Sequence, residues 1–201
     1  MKIVIAQALF NSHSYLEYRK LMADLLKDGK STAVEQTQER THYSELNESR
    51  MRRLDKTMRI TDENGAKLKA LTKRYIWLVL SESWCGDAAQ ILPILHKMEL
   101  ESKGKIEMKL VLRDENETLM NHFLTHKGKA IPKLIVIDKE TGSVVGDWGP
   151  RPQGAVNLIE AYKAEFGSID ETVKANLQLW YLHDKGLSTQ NEIIQLLQNL
   201  E

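Results

Sequence analysis

The stretch Tyr75-Ile76-Trp77-Leu78-Val79-Leu80-Ser81-Glu82-Ser83-Trp84-Cys85-Gly86-Asp87 decides the fold. Tyr75 to Leu80 form a nearly continuous apolar run with aromatic and branched side chains, the pattern of a short strand buried on both faces. Ser81-Glu82-Ser83 turns polar, and Trp84-Cys85-Gly86-Asp87 leads into a segment where Ile91, Leu92, Leu95 and Met98 share one helical face. A helix is therefore predicted from there to about Ser102. Pro93 falls inside it and is expected to kink it, because proline has no N–H for the backbone ladder.

Toward the carboxyl terminus, Ile106, Met108, Leu110 and Leu112 alternate with Glu107 and Lys109 in a strand pattern. Glu115 to Thr125 reads as a short helix using Leu119, Phe123 and Leu124, and Gly128 ends it. Ile131-Pro132-Lys133 leads into a third strand, Leu134 to Ile137. Thr141-Gly142 is a turn before a hairpin strand, Ser143 to Trp148. Gly149-Pro150-Arg151-Pro152 breaks the chain before a helix from Gly154 to Phe166. The order strand, helix, strand, helix, strand, strand, helix demands a parallel pair across the first crossover and an antiparallel pair across the last turn. The fold class expected is α/β, a mixed central sheet covered by helices on both faces.

Toward the amino terminus the chain reads as helix. Ser14 and Glu17 have capping-box spacing ahead of an apolar face of Tyr15, Tyr18, Met22, Leu25 and Leu26, and Asp28-Gly29 stops that helix. Tyr43, Leu46, Met51, Leu54 and Met58 mark a second amphipathic segment, and Asn64-Gly65 reads as a turn. Ile3 to Phe10 is at the short limit for a signal-peptide core, and a strand or helix lead-in is the preferred reading. After Phe166, Ile169, Val173, Leu177, Trp180 and Tyr181 share a helical face. Thr189 and Glu192 have capping-box spacing before a last helix. The expected organisation is a helical extension over 1–72, an α/β domain over 73–166 and a second helical extension over 167–201.

Composition bounds the function. Lys plus Arg and Asp plus Glu each number 28, so no global charge attracts nucleic acid or an anionic membrane. No apolar stretch is long enough to span a bilayer. A single cysteine excludes an intramolecular disulfide and a Cys-rich zinc site, and it suits the reducing cytoplasm. His122 and His126 are four apart with no further ligands at recognisable spacing, so no metal site is expected. Arg50, Arg52, Arg53, Lys56 and Arg59 cluster among Glu48 and Asp55. Such runs are usually solvated faces; folded over Cys85, this one would attract acidic thiols.

Trp84-Cys85-Gly86 at a strand-to-helix junction, Pro93 eight positions after Cys85, Ile131-Pro132-Lys133 before a strand, and Gly142 and Gly149 around a hairpin together resemble the thioredoxin-like superfamily over roughly Lys73 to Phe166. The flanks, with Leu46-Asn47, Arg50-Met51 and Asp184-Lys185-Gly186, resemble a bacterial group of thioredoxin-like proteins with helical extensions. The resemblance implies a three-layer thioredoxin-like fold, a cis peptide at Pro132, and an Ile131–Pro132 loop that faces the cysteine and holds extended substrate chain. Departures are equally plain. Asp87 and Ala88 stand where the family has proline and the second cysteine, and Val79 stands where it buries an aspartate. A dithiol cycle cannot run.

At the first turn of a helix, unpaired N–H groups and the dipole are expected to lower the pKa of Cys85, opposed by the charge of Asp87. Asp87 is expected either to cap the helix or to accept and relay a proton. Cys85 and Asp87 are thus the candidate catalytic residues, and Trp84, Gly86, Ile131 and Pro132 the candidate substrate-binding ones. The function implied is single-cysteine thiol–disulfide exchange on protein or small-molecule disulfides. No resident cofactor is expected, and glutathione or another small thiol is the candidate co-substrate. The alternative is a redox-inactive thioredoxin-fold binding or scaffold module. The oligomeric state stays open.

Overall fold

The computed structural model describes residues 1–201. In chain order the elements are α1 (Lys2–Phe10), α2 (Tyr15–Lys27), α3 (Gln38–Thr57), α4 (Asp62–Lys69), β1 (Tyr75–Ser81), α5 (Gly86–Glu101), β2 (Ile106–Leu112), α6 (Glu117–Met120), β3 (Lys133–Asp138), β4 (Val144–Trp148), α7 (Gln153–Phe166), α8 (Glu171–Asp184) and α9 (Leu187–Gln198).

The sheet has the order β2-β1-β3-β4. β1 pairs in parallel with β2, placing Tyr75 opposite Ile106 and Ser81 opposite Leu112. It pairs antiparallel with β3, and β3 pairs antiparallel with β4. Trp77, Leu78, Val79 and Leu80 are all fully buried. Successive strand residues point to opposite faces, so this continuous burial means that both faces of the sheet are covered. This is the thioredoxin-like α/β architecture, with further helices before and after it. The free edge of β2 is closed by the loop between α1 and α2. His13 donates its N–H to the Leu110 carbonyl at 2.8 Å and accepts from the Leu110 N–H at 2.7 Å, so the edge offers less unpaired backbone to a second chain.

Of the two readings of Ile3 to Phe10, strand or helix lead-in, the helix forms, as α1. Other local expectations need correction. Asn64-Gly65 is not a turn but lies inside α4, which Thr61 caps by accepting from the Asn64 N–H. The helix expected over Glu115 to Thr125 is a single turn, α6, and His122 and His126 follow it in turns. Thr189 and Glu192 form no capping box. Gly186, at φ 77°, starts α9 earlier, and Thr189 is buried within the helix. Glu192 instead accepts from Trp148 Nε1 at 2.8 Å and from the Gln153 N–H at 2.7 Å. The Ser14–Glu17 capping box does form.

Candidate functional site

The site starts where β1 hands over to α5. Ser83, in the connecting turn, is held from four sides by the amino-terminal part of the chain. Its Oγ accepts from the Thr32 N–H at 3.0 Å and lies 2.7 Å from Ser44 Oγ. Its N–H donates to Thr32 Oγ1 at 2.9 Å, and its carbonyl accepts from Asn47 Nδ2 at 2.7 Å. Ser44 and Asn47 are the fully buried polar residues of α3. The apolar pattern that predicted this helix missed them, and it placed Leu46 in the core where the residue is 39 % exposed.

Held in this way, Cys85 is the N-cap of α5. Its Sγ accepts from the Ala88 N–H at 3.4 Å and donates its own proton to the Ile131 carbonyl at 3.2 Å. The Ile131–Pro132 peptide is cis. Sulfur and proline loop are therefore adjacent, but the sulfur is not uncovered: Cys85 is 8 % exposed. Burial pushes its thiol up to about 12, the negative charge of Asp87 adds to the rise, and the Ala88 N–H only partly opposes it. The expected lowering by the helix terminus is thus reversed, because desolvation of the thiolate outweighs one or two N–H donors.

Asp87 does not cap the helix, since that position belongs to Cys85. Its carboxylate is buried and bound on two sides: Oδ1 accepts from the Tyr181 hydroxyl at 2.8 Å, and Oδ2 pairs with Arg151 Nη2 at 2.7 Å. Burial raises its pKa, against the pull of Arg151. Arg151 and Tyr181 were not identified from sequence as site residues. Arg151 sits in a stretch that reads as a helix breaker, and Tyr181 reads as one member of an apolar face.

Cys85 sits in the wall of a cavity of about 700 Å³. Trp84, Gly86, Asp87 and Ile131 line it too, but Pro132 does not. That proline is buried behind the wall, with its carbonyl against Gly149, where a Cβ would come within 2.3 Å of the oxygen. Two guanidinium groups lie against the Trp84 ring, Arg113 at 4.8 Å and Arg40 at 5.6 Å from its centroid. Trp84 thus anchors cations at the cavity. Opposite walls come from α3, through Tyr43, Leu46 and Arg50, and from α8, through Lys174, Leu177 and Gln178. No three His, Cys, Asp or Glu side chains converge in a way that could hold a metal ion. No helix is long and apolar enough to cross a membrane.

A thioredoxin family model matches residues 33–163, well over half of the chain. This chain belongs to the thioredoxin family. Within that family the match takes in α3 as well as the sheet, so the helix that holds Ser83 lies inside the matched segment. None of the curated proteins compared matches this thioredoxin-family chain. Among solved structures it is similar to a protein of unknown function from Pseudomonas aeruginosa. The two share 17 % identity over 94 % of this chain and 99 % of that one, with a TM-score of 0.61. It is also similar to an HIV epitope-scaffold, at 17 % identity over 93 % of this chain and 99 % of that one, with a TM-score of 0.56. At this identity the likenesses speak to the fold alone.

Proposed function

We propose that this thioredoxin-family chain is a recognition module, binding a ligand in the cavity beside Cys85 and the Ile131–Pro132 loop without rapid thiol turnover. The observation that carries this reading is the state of Cys85. Its proton is committed to the Ile131 carbonyl, and burial holds the thiol up at about 12. Such a thiol carries far less thiolate at neutral pH than a free cysteine of pKa about 8.5. The greater nucleophilicity of a more basic thiolate recovers less than half of that deficit on a logarithmic scale, so exchange is slower than for free cysteine. No second cysteine exists to release a bound partner. Trp84, Gly86 and Ile131 then serve as binding surface, Asp87 as a buried link to Arg151 and Tyr181, and Pro132 as support behind the wall. A reducing cytoplasm is the compartment that suits a lone thiol kept in this form.

A second reading, single-cysteine thiol–disulfide exchange, is favoured by one observation: the residue that lines the cavity also caps α5. In that chemistry the Cys85 thiolate attacks one sulfur of a protein or small-molecule disulfide. One S–S bond forms as the other breaks, and the leaving sulfur departs as a thiolate. A second thiol, such as glutathione, must then attack the mixed disulfide to free Cys85.

The rate of Cys85 alkylation by iodoacetamide, followed by mass spectrometry from pH 6 to pH 11, separates the two readings. Recognition requires negligible labelling at pH 7, a rate still climbing beyond pH 10, and no mixed disulfide with oxidised glutathione over hours at pH 7. A titration midpoint at or below about 8.5, the value for free cysteine, would sink the recognition reading.

A further inference from the structure

Arg50 is the cation of this cavity that has no carboxylate. Six basic side chains line the walls, Arg40, Arg50, Arg113, Lys129, Arg151 and Lys174, against three acidic ones, Glu39, Asp87 and Glu171. The chain as a whole is neutral, so this positive excess is local. Five of the six cations are paired: Arg40 with Glu35, Arg113 with Asp114, Lys129 with Glu117, Arg151 with Asp87 and Lys174 with Glu171. Arg50 is half-buried, and its single protein acceptor is the Asn47 side-chain carbonyl, at 2.8 Å from Nη1. A guanidinium has five N–H donors in a planar fork, so most of this one faces the cavity without a protein acceptor.

Its position is also fixed. Asn47 is fully buried, and its amide bonds the Ser83 carbonyl at 2.7 Å while its carbonyl holds Arg50. The same turn that sets Cys85 therefore sets Arg50. Nη1 lies 3.8 Å from where a Cβ at Gly86 would stand, so the fork is presented at the bare backbone beside the sulfur. A fixed, half-desolvated guanidinium without a carboxylate is unfavourable in the empty molecule and becomes favourable when an oxyanion arrives. Burial and the neighbouring Arg53 both lower the Arg50 pKa, in keeping with a cation that lacks its partner. Tyr43, Leu46, Ile131 and Leu177 add apolar surface to the same walls, and the volume falls in the range of small-molecule pockets, about 300–1,000 Å³.

We propose that this cavity binds a small organic anion whose carboxylate or phosphate oxygens pair with the Arg50 guanidinium, with Lys174 at the opposite wall and the apolar residues holding the remainder. The inference rests on the recognition reading of the same cavity and names the chemistry recognised.

Isothermal titration calorimetry on the full chain at pH 7 and low salt tests it, with citrate as the carboxylate probe, pyrophosphate as the phosphate probe and glycerol as the neutral control. Saturable 1:1 binding of citrate or of pyrophosphate is expected, weakening with added salt, and none of glycerol. Whichever anion binds more tightly assigns the source of the oxygens. Arg50→Gln is expected to raise Kd at least tenfold, and Arg50→Lys, which keeps the charge without the fork, to fall between. The exposed Lys20→Gln, away from the cavity, should leave Kd unchanged. Circular dichroism and thermal melting confirm that each variant folds, and Lys174→Gln provides an independent loss of cavity charge should Arg50→Gln fail to fold. No saturable heat with either anion up to 10 mM overturns the proposal, as does a Kd that the folded Arg50 variants leave unmoved. Failure here with Cys85 still inert to alkylation removes the anion but leaves a recognition cavity. A reactive Cys85 with anion binding intact removes the recognition reading instead.

Discussion

Glu82 lies one residue beyond β1 with its carboxyl enclosed, 1 % exposed. Burial pushes its pKa up to about 7 from an ordinary value of 4.5, while donation from Thr32 Oγ1 and from the Asp114 N–H, at 3.0 Å, favours the charged form and limits the rise. The folded state therefore holds a proton between about 4.5 and about 7 that the unfolded chain has lost. Stability from this residue is fully present below the unfolded pKa and is lost as pH climbs through the folded one. The span amounts to about 3 kcal/mol. Urea unfolding at pH 5, 6, 7 and 8 should show stability declining with pH in the wild type. In Glu82→Gln, which cannot ionise, the decline should be smaller by most, though not all, of that amount, because pH 5 already lies above the unfolded pKa. Equal slopes in the two proteins would mean that Glu82 titrates normally. The consequence for the site is direct, because the Glu82 carbonyl accepts from the Cys85 N–H at 3.2 Å and the carboxyl reaches Thr32, which also holds Ser83.

Among the elements, the junction between β4 and α7 is the least forgiving of change. Gly149 has φ 118°, and a Cβ there would stand 2.3 Å from the Pro132 carbonyl oxygen, a backbone atom that cannot swing away. Gly149→Ala combines a disfavoured conformation with a backbone clash and should destabilise the chain by roughly 2–4 kcal/mol in urea unfolding. Gly29→Ala is the matched control: φ there is also positive, at 67°, but nothing lies within 4 Å of the new Cβ, so its cost should be smaller. Comparable losses in the two variants would show that the close approach to Pro132 is not what matters at Gly149. Elements of this kind differ in how far local pattern foretells them. The apolar run from Tyr75, the alternation from Ile106 and the Ser14–Glu17 box are near-neighbour signals, and all three elements form in those places. Asn64-Gly65 and Thr189–Glu192 carry signals just as clear and mislead, because tertiary partners take the residues first: Asn191 accepts from Asn64 Nδ2 at 2.9 Å, while Trp148 and Gln153 claim Glu192. For the site, Cys85 and Asp87 stood out from the resemblance, yet Tyr181, 94 positions from Asp87, did not, since no periodicity links a carboxylate to a hydroxyl that far along the chain. Ser44 and Asn47 escaped for the converse reason: they are polar residues on the buried face of a helix, visible only once the turn they hold is in place.

At the scale of the molecule, the helices before and after the sheet share one core with it. A continuous cluster of 44 buried residues joins Ile5, Tyr18, Met51 and Leu68 to the strands, and joins these in turn to Val173, Tyr181, Ile193 and Leu197. The cavity is built the same way, with α3 on one wall, α8 on another and the β1–α5 turn at Cys85 between them. Neither helical flank has an apolar cluster of its own to fold around. The carboxy-terminal residue is also tied to the sheet: Glu201 accepts from the Thr72 N–H at 2.7 Å and from the Tyr75 hydroxyl at 2.9 Å, at the start of the central strand. A single cooperative transition is therefore expected in differential scanning calorimetry, with calorimetric and van't Hoff enthalpies in agreement near about 140 kcal/mol for a chain of this length. Two resolved transitions, or hydrogen exchange in which α8 and α9 open far more readily than β1, would show that the carboxy-terminal helices are a separable layer. In that event the α8 wall, with Lys174, could leave the cavity while the sheet stays folded, and anion affinity would be set by the docking of that layer rather than by Arg50 alone.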